Sequence, residues 1–292
     1  MKIRFGPAGI PLSCKGRTLK DGIEDIHALE LNAMEVQLVR AVGECMENLD
    51  EIKELANELD VQLSVHTPYY MDLAGDAEMM QKSVDNIKWA SEVANKMGAK
   101  YVNTHIGIKH LKDDKKTMDL VIKNVRQIRD HFQKQKLKCK LGLETSGRQQ
   151  VFGSLDEILA VCKRVSGVIP VLNFAHIHAY EGGALKKTED FQAVFDKSQK
   201  VMGKKQFYTH FSGVEHEEGN KKRCTPIKKG DMRFEPLAEC ILDNPNYEIS
   251  IISGSPLLEH DAMYMKVILD RVKAKREAKS GKNGKDESEE KE

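Results

Sequence analysis

The chain has no run of about 18 apolar residues, the length a membrane-crossing helix requires, so no membrane partner is expected. It also has almost no net charge, +1 at pH 7. Its 46 Lys and Arg balance 45 Asp and Glu, so no global field favours nucleic acid or lipid, although a local basic face remains compatible with this balance. Cys14, Cys45, Cys139, Cys162, Cys224 and Cys240 are scattered without a C-x-x-C pair, which suits a reducing compartment where most are small buried hydrophobes. The opening MKIRFGPAGIP has no apolar core of a secretory signal and reads as a first strand. No G-x-G-x-x-G follows that strand, which removes the dinucleotide fingerprint of an open doubly wound sheet. The expectation is a soluble, cytoplasmic, monomeric globular protein; 292 residues with 40% hydrophobic and 31% charged content can bury one sizeable core.

What is present is an alternation. Short β-branched or apolar runs at 3–6, 33–38, 62–66, 101–105, 140–144, 168–174, 206–210 and 247–253 predict strands. Between them, helical spacing predicts helices over 19–29, 46–59, 76–97, 114–135, 154–164, 187–202, 233–243 and 257–275. In 76–97 the apolar face includes Met79, Met80, Val84, Ile87, Ala90, Val93 and Ala94, with the methionines read as core. Ser154 with Glu157 three residues on has the spacing of a capping box. Eight strand–helix units imply a parallel sheet closed into an α/β (β/α)8 TIM barrel over 1–275. The remaining 276–292, basic then acidic and without large apolar residues, reads as a disordered charged tail.

Barrel active sites form at the carboxyl ends of the strands. The third predicted strand ends in His66, the fourth in His105, the fifth in Glu144 and the seventh in His210, while the sixth supplies Asn173 and His176. A single histidine at a strand end is more often structural than a ligand. Three histidines and a glutamate at four strand ends form a set that neutral-imidazole and carboxylate chemistry fits to zinc.

The motifs SVHTPYYMDL (64–73), NTHIG (103–107), GLETSG (142–147), NFAHIHA (173–179), THFSG (209–213) and an altered SGSPLLEHDA (253–262) resemble the endonuclease IV family of abasic-site endonucleases, within the xylose isomerase-like barrels. The FGPAGIP opening is similar to archaeal-type members. The resemblance implies hydrolysis of double-stranded DNA on the 5′ side of abasic sites by three zinc ions, with Mn or another divalent ion as an alternative. It also implies that His66, His105 and Glu144 hold the first ion, Glu144 and His210 part of the second, and His176 part of the third, with Glu144 the bridging catalytic carboxylate.

The sequence departs from that pattern. Asn173 stands where the family has an aspartate and Gly254 where it has a glutamate, so the second site loses two carboxylates and with them the charge that compensates zinc dehydration. Lys222 and Cys224 fall where an aspartate and a histidine are expected. A Cys224 thiolate, His178 or His216 are replacement candidates, Cys224 otherwise reading as a loop thiol. One or two ions are therefore expected in place of three. Tyr69 matches a DNA-facing tyrosine of the family, Arg40 loosely matches a side chain sent into the duplex, and Lys109, Arg148, Lys222 and Arg223 are candidate phosphate contacts. The competing expectations are a sugar isomerase or epimerase of the same barrel group and a non-catalytic DNA-damage binder.

Overall fold

A computed structural model describes residues 2–38, 48–110 and 113–289. Eight strands form one parallel sheet: β1 (Lys2–Pro7), β2 (Ala33–Gln37), β3 (Gln62–His66), β4 (Tyr101–Thr104), β5 (Lys140–Glu144), β6 (Val168–Asn173), β7 (Gln206–Phe211) and β10 (Glu248–Ser253). A hairpin of β8 (Gly213–Glu217) and β9 (Asn220–Thr225) interrupts the series. The sheet order, β1-β10-β7-β6-β5-β4-β3-β2, is that of a (β/α)8 barrel, as the alternation predicts.

Closure falls between β1 and β2, which meet through an isolated parallel bridge at Ala8 and Glu35 rather than a full ladder. Asn32 completes the seam: its backbone N–H donates to Phe5 O at 3.1 Å, and its side-chain Oδ1 accepts from Phe5 N at 2.9 Å. The strands approach so closely there that a Cβ on Gly6 would lie 1.6 Å from Ala33 O, so residue 6 must be glycine.

The surrounding helices are α1 (Leu19–Ala28), α2 (Leu49–Glu58), α3 (Ala77–Lys96), α4 (Asp114–Lys134), α5 (Leu155–Arg164), α7 (Thr188–Met202), α8 (Glu235–Asp243) and α9 (Glu259–Glu289). Their starts are chemically marked. Ser154 and Glu157 form the reciprocal capping box expected of α5, Thr18 and Asp21 form another at α1, and Asp76 and Asp113 cap α3 and α4. Val84, Ile87, Ala90, Val93 and Ala94 of α3 are buried against the sheet, and Met97 beyond its end is buried too, but Met79 is exposed at the barrel mouth rather than in the core. Helix α9 runs past residue 275 into the stretch whose composition reads as a tail, and Arg276 there pairs with Glu239 and with Asp243 at 2.7 Å. Among the described residues no helix is long and apolar enough to cross a membrane.

Two elements depart from the sequence expectation. The segment after β6 is not extended: Asn173 Oδ1 accepts from His176 N at 3.1 Å and caps a short helix, α6 (Phe174–Tyr180). Residues two apart on a helix diverge by about 200°, so His176 and His178 face different neighbours. The charged run 213–225 carries no apolar alternation yet forms the β8–β9 ribbon, which turns at Glu218 and Gly219 with positive φ of 48° and 75°.

Because the seam admits no side chain, Gly6→Ala is expected to cost about 2 kcal/mol or more, read as a lower midpoint in urea unfolding. Gly182→Ala, with no neighbour within 4 Å of the added carbon but a φ of 66°, carries only the backbone cost and is the milder control.

Candidate metal centre

The barrel mouth gathers His66, His105, Glu144, His176 and His210 from β3, the β4 end, β5, α6 and β7. Glu144 is the hub, with 3% of its surface exposed. One carboxylate oxygen, Oε2, meets His66 Nε2 at 3.2 Å and His210 Nδ1 at 3.4 Å, and accepts from Asn103 Nδ2. The other, Oε1, accepts from Asn173 Nδ2 at 2.9 Å and lies 3.4 Å from His176 Nδ1. Burial pushes the Glu144 pKa up, but the surrounding His210 and His105 charges and the hydrogen bonds from His210 and His66 hold it well below the carboxylate range.

The imidazole protons are placed by second partners. His66 Nδ1–H donates to Thr67 O at 2.6 Å, which turns Nε2 toward Glu144 at 3.2 Å. Burial lowers its pKa, but the Glu144 hydrogen bond and the charges of Glu35 and Glu144 leave it raised, so a bound metal would take the place of the Nε2 proton. Burial draws the His105 pKa down to about 4, with the charges of His66, Lys221 and His210 adding to it against the pull of Glu144, so this ring is a neutral donor. Ligand atoms of His66, His105 and Glu144 lie within 4.8 Å of one another. Two neutral-capable imidazole nitrogens and one ionised carboxylate at that spacing fit a divalent metal.

A second buried carboxylate, absent from the strand-end set, lies beside this group. Glu35 on β2 accepts from Tyr208 OH at 2.5 Å, from His210 Nε2 at 2.9 Å and from Gln37 Nε2 at 2.8 Å. Burial opposes its ionisation, but the charge and hydrogen bond of His210 outweigh it and bring its pKa to about 2. Standing between two carboxylates, His210 has its pKa lowered by burial and raised by Glu35 and Glu144, with the net well above the ordinary histidine value. Its Nε2–H is committed to Glu35, so its Nδ1 is aimed at Glu144, the carboxylate–histidine arrangement that orients a metal ligand. The signal was available in AMEVQ: a charged residue inside a parallel strand that should be apolar on both faces.

The remaining candidates offer this group no free ligand atom. Asn173 spends its oxygen on the α6 cap and turns its nitrogen toward Glu144, so it presents no ligand oxygen. Gly254 has open space around it. His176 Nδ1 is 2.7 Å from Thr145 O, and its Nε2 accepts from Lys221 Nζ at 2.7 Å. The position that the endonuclease IV resemblance assigns to a third metal ion thus has an ammonium at its histidine and does not fit a metal ion. Cys224 belongs to no group of ligand spacing among the described residues. His178, His216 and Asp231 do lie within that spacing, but His178 Nδ1 accepts Leu185 N–H at 3.0 Å, which puts the ring proton on Nε2, where it faces Asp231 at 3.1 Å. A neutral His178 therefore offers no lone pair to an ion, and the trio latches α6 to the hairpin and its following loop.

Of the proposed nucleic-acid contacts, Tyr69 is 65% exposed beside the mouth, its OH donating to Gln37 Oε1 at 3.1 Å. Arg148 is exposed and, with Tyr69, Tyr70, His105, His176 and Lys221, lines a cavity of about 530 Å³. Lys109, in contrast, pairs with Glu157 at 2.6 Å. Lys222 pairs with Glu217 and Arg223 with Glu215, both at 2.7 Å on the exposed face of the ribbon. Arg40 lies outside the described residues.

A family model described as xylose isomerase-like TIM barrel matches residues 23–256. An uncharacterised protein of Methanocaldococcus jannaschii is 28% identical over 267 residues, 89% of this chain and 94% of that one. Among solved structures, a D-tagatose 3-epimerase-like protein superposes with a TM-score of 0.72 at 19% identity, covering 96% of this chain and all of the other. Endonuclease IV from Thermus thermophilus gives 0.69 at 19% identity, covering 90% and 97%. At these identities the structural likenesses speak to the fold alone.

Glu35→Ala leaves Tyr208, Gln37 and His210 without their shared acceptor and is expected to cost about 3–5 kcal/mol, measured by denaturant unfolding. Lys222→Ala, which breaks only a solvated surface pair, leaves the midpoint in place.

Proposed function

Because the chain belongs to the xylose isomerase-like TIM barrel family, whose members carry different chemistries on one scaffold, we propose that it is a metal-dependent phosphodiesterase that cuts double-stranded DNA 5′ to abasic sites. It does so with a centre reduced from three zinc ions to one, or two at most. The observation that carries this reading is the set of His66, His105, His176 and His210 around the Glu144 carboxylate, each in one of the motifs that resemble those of the endonuclease IV family. Zinc bound at His66, His105 and Glu144 would supply an activated water at neutral pH and neutralise a phosphate oxygen.

The chain's own groups have separable tasks. Glu144 is ionised and collects the imidazoles. Glu35 and Tyr208 hold His210 from behind. Tyr69, exposed at the mouth, offers a flat surface to the gap left by a missing base, and an abasic nucleotide costs less to extrude than a paired one. Arg148 supplies positive charge at the same opening.

The epimerase reading is weaker for a physical reason. Inverting a C–H centre needs acid–base groups on both faces of the substrate. Among the described residues the ligand group contains one carboxylate, Glu144; Glu35 is committed to Tyr208, His210 and Gln37, and Asp72 in the mouth cavity is paired with His110.

The test is incision of a duplex carrying one abasic site, with zinc or manganese supplied. The expected outcome is a 5′ nick at the site, reduced at least ~100-fold by His66→Ala or Glu144→Gln. Tight binding of that duplex without a nick would replace the enzyme by a damage-binding protein, and neither binding nor nicking would remove DNA as the substrate. The double reversion Asn173→Asp with Gly254→Glu should raise both bound zinc and incision; no change in either would show that these two positions do not limit the centre.

A further inference from the structure

We propose that Lys221 is a resident cation standing where the family pattern places a third metal ion, and that its ammonium receives an oxyanion, a phosphate group, in the cavity at the barrel mouth. The phosphate assignment rests on the phosphodiesterase reading; the replacement of a metal does not.

The geometry is built rather than incidental. The Lys221 backbone N–H donates to Gly147 O at 2.6 Å, and Asn220 Oδ1 accepts from Gln149 N at 3.0 Å, so the ribbon is strapped to the loop after β5. Gln149 Nε2 adds a bond to Tyr180 O at the end of α6, 2.9 Å away. The strap fixes where the lysine stem starts. Gly147 lets that stem pass: a Cβ there would lie 3.0 Å from Lys221 Cβ and 3.2 Å from His176 Cα. The ammonium then reaches His176 Nε2 at 2.7 Å.

His176 itself cannot turn away. Its Nδ1 proton is held by Thr145 O at 2.7 Å and its backbone by the Asn173 cap. An imidazole whose one nitrogen donates to a carbonyl presents a single lone pair at the other, and here the lysine takes it. A divalent ion at Nε2 would have to displace an ammonium already hydrogen-bonded there and would gain no carboxylate from the ribbon strands, since Glu215 and Glu217 are paired with Arg223 and Lys222 and Glu144 lies on the Nδ1 side of the ring. One hydrogen bond to His176 leaves the ammonium two further donors. Lys221 lines the same cavity as Arg148, which puts two cations on its wall. This is a site for an anionic oxygen that needs no ion to arrive first.

The experiment uses the full chain loaded with zinc and freed of excess. Zinc per chain is measured by elemental analysis for the wild type, His66→Ala, His176→Ala and Lys221→Met. Loss of zinc in His66→Ala with none lost in His176→Ala or Lys221→Met is the expected result; loss in His176→Ala equal to that in His66→Ala would make His176 a ligand and overturn the proposal.

The same proteins are then titrated calorimetrically with inorganic phosphate. Lys221→Met should weaken phosphate binding about tenfold or more, and Lys221→Arg should keep most of it. Phosphate bound equally by wild type and Lys221→Met would refute the oxyanion role. If these results hold and abasic duplex is neither bound nor cut, the resident cation stands and the DNA reading falls. If the duplex is cut while phosphate binding ignores residue 221, the reverse applies.

Discussion

Two carboxylates are buried a few ångströms from each other in the mouth of this barrel, and much of the local structure answers the cost of keeping both ionised. An isolated buried carboxylate would take up a proton to avoid its desolvation penalty. Glu144 and Glu35 avoid that because His210 lies between them, with one ring nitrogen toward each, and because hydroxyl and amide donors fill the remaining lone pairs. The result is an anionic hub with its imidazoles already oriented. The fold provides it by delivering β2, β3, β5 and β7 to the same rim.

Charge also explains how the hub differs from the endonuclease IV pattern. Replacing aspartate by Asn173 and glutamate by Gly254 removes two negative charges, while Lys221 introduces a positive one at the third position. These changes point the same way, and the proposal of fewer divalent ions rests on them. Asn173 retains the part of an aspartate's role that does not depend on charge, capping α6 with its oxygen, and uses its nitrogen to steady Glu144. An Asp at this position would set a second negative charge directly against that carboxylate unless an ion came between them.

The sequence shows the barrel clearly and the site in part, and the division has physical causes. Strands such as VIPVLN and the strand-end histidines stand out because a parallel strand is apolar until it leaves the sheet, so the first polar residues mark the rim. Glu35 escapes this reasoning because it precedes the strand end by two positions, and its partners Tyr208 and His210 are more than 170 residues away. Lys221 escapes it because EEGNKKRCT has no apolar alternation. The ribbon there is held by straps to Gly147 and Gln149, contacts that local pattern does not encode, and one lysine in a run of three basic residues carries no mark of facing inward. The α6 helix is hidden for a related reason. Asn173 looks like the last residue of a strand with a missing ligand charge, and its role as a cap becomes visible only once His176 N is seen to be its partner.

The incomplete ladder between β1 and β2 bears on this chemistry. Glu35 is the β2 member of the isolated bridge across the seam, so the residue that aligns His210 also helps zip the least hydrogen-bonded boundary of the barrel. Any breathing of that boundary would swing the carboxylate relative to β7, loosening the imidazole it orients. Closure of the cylinder and alignment of the candidate metal centre thereby share one residue, which ties the order of that centre to how firmly the first strand meets the second.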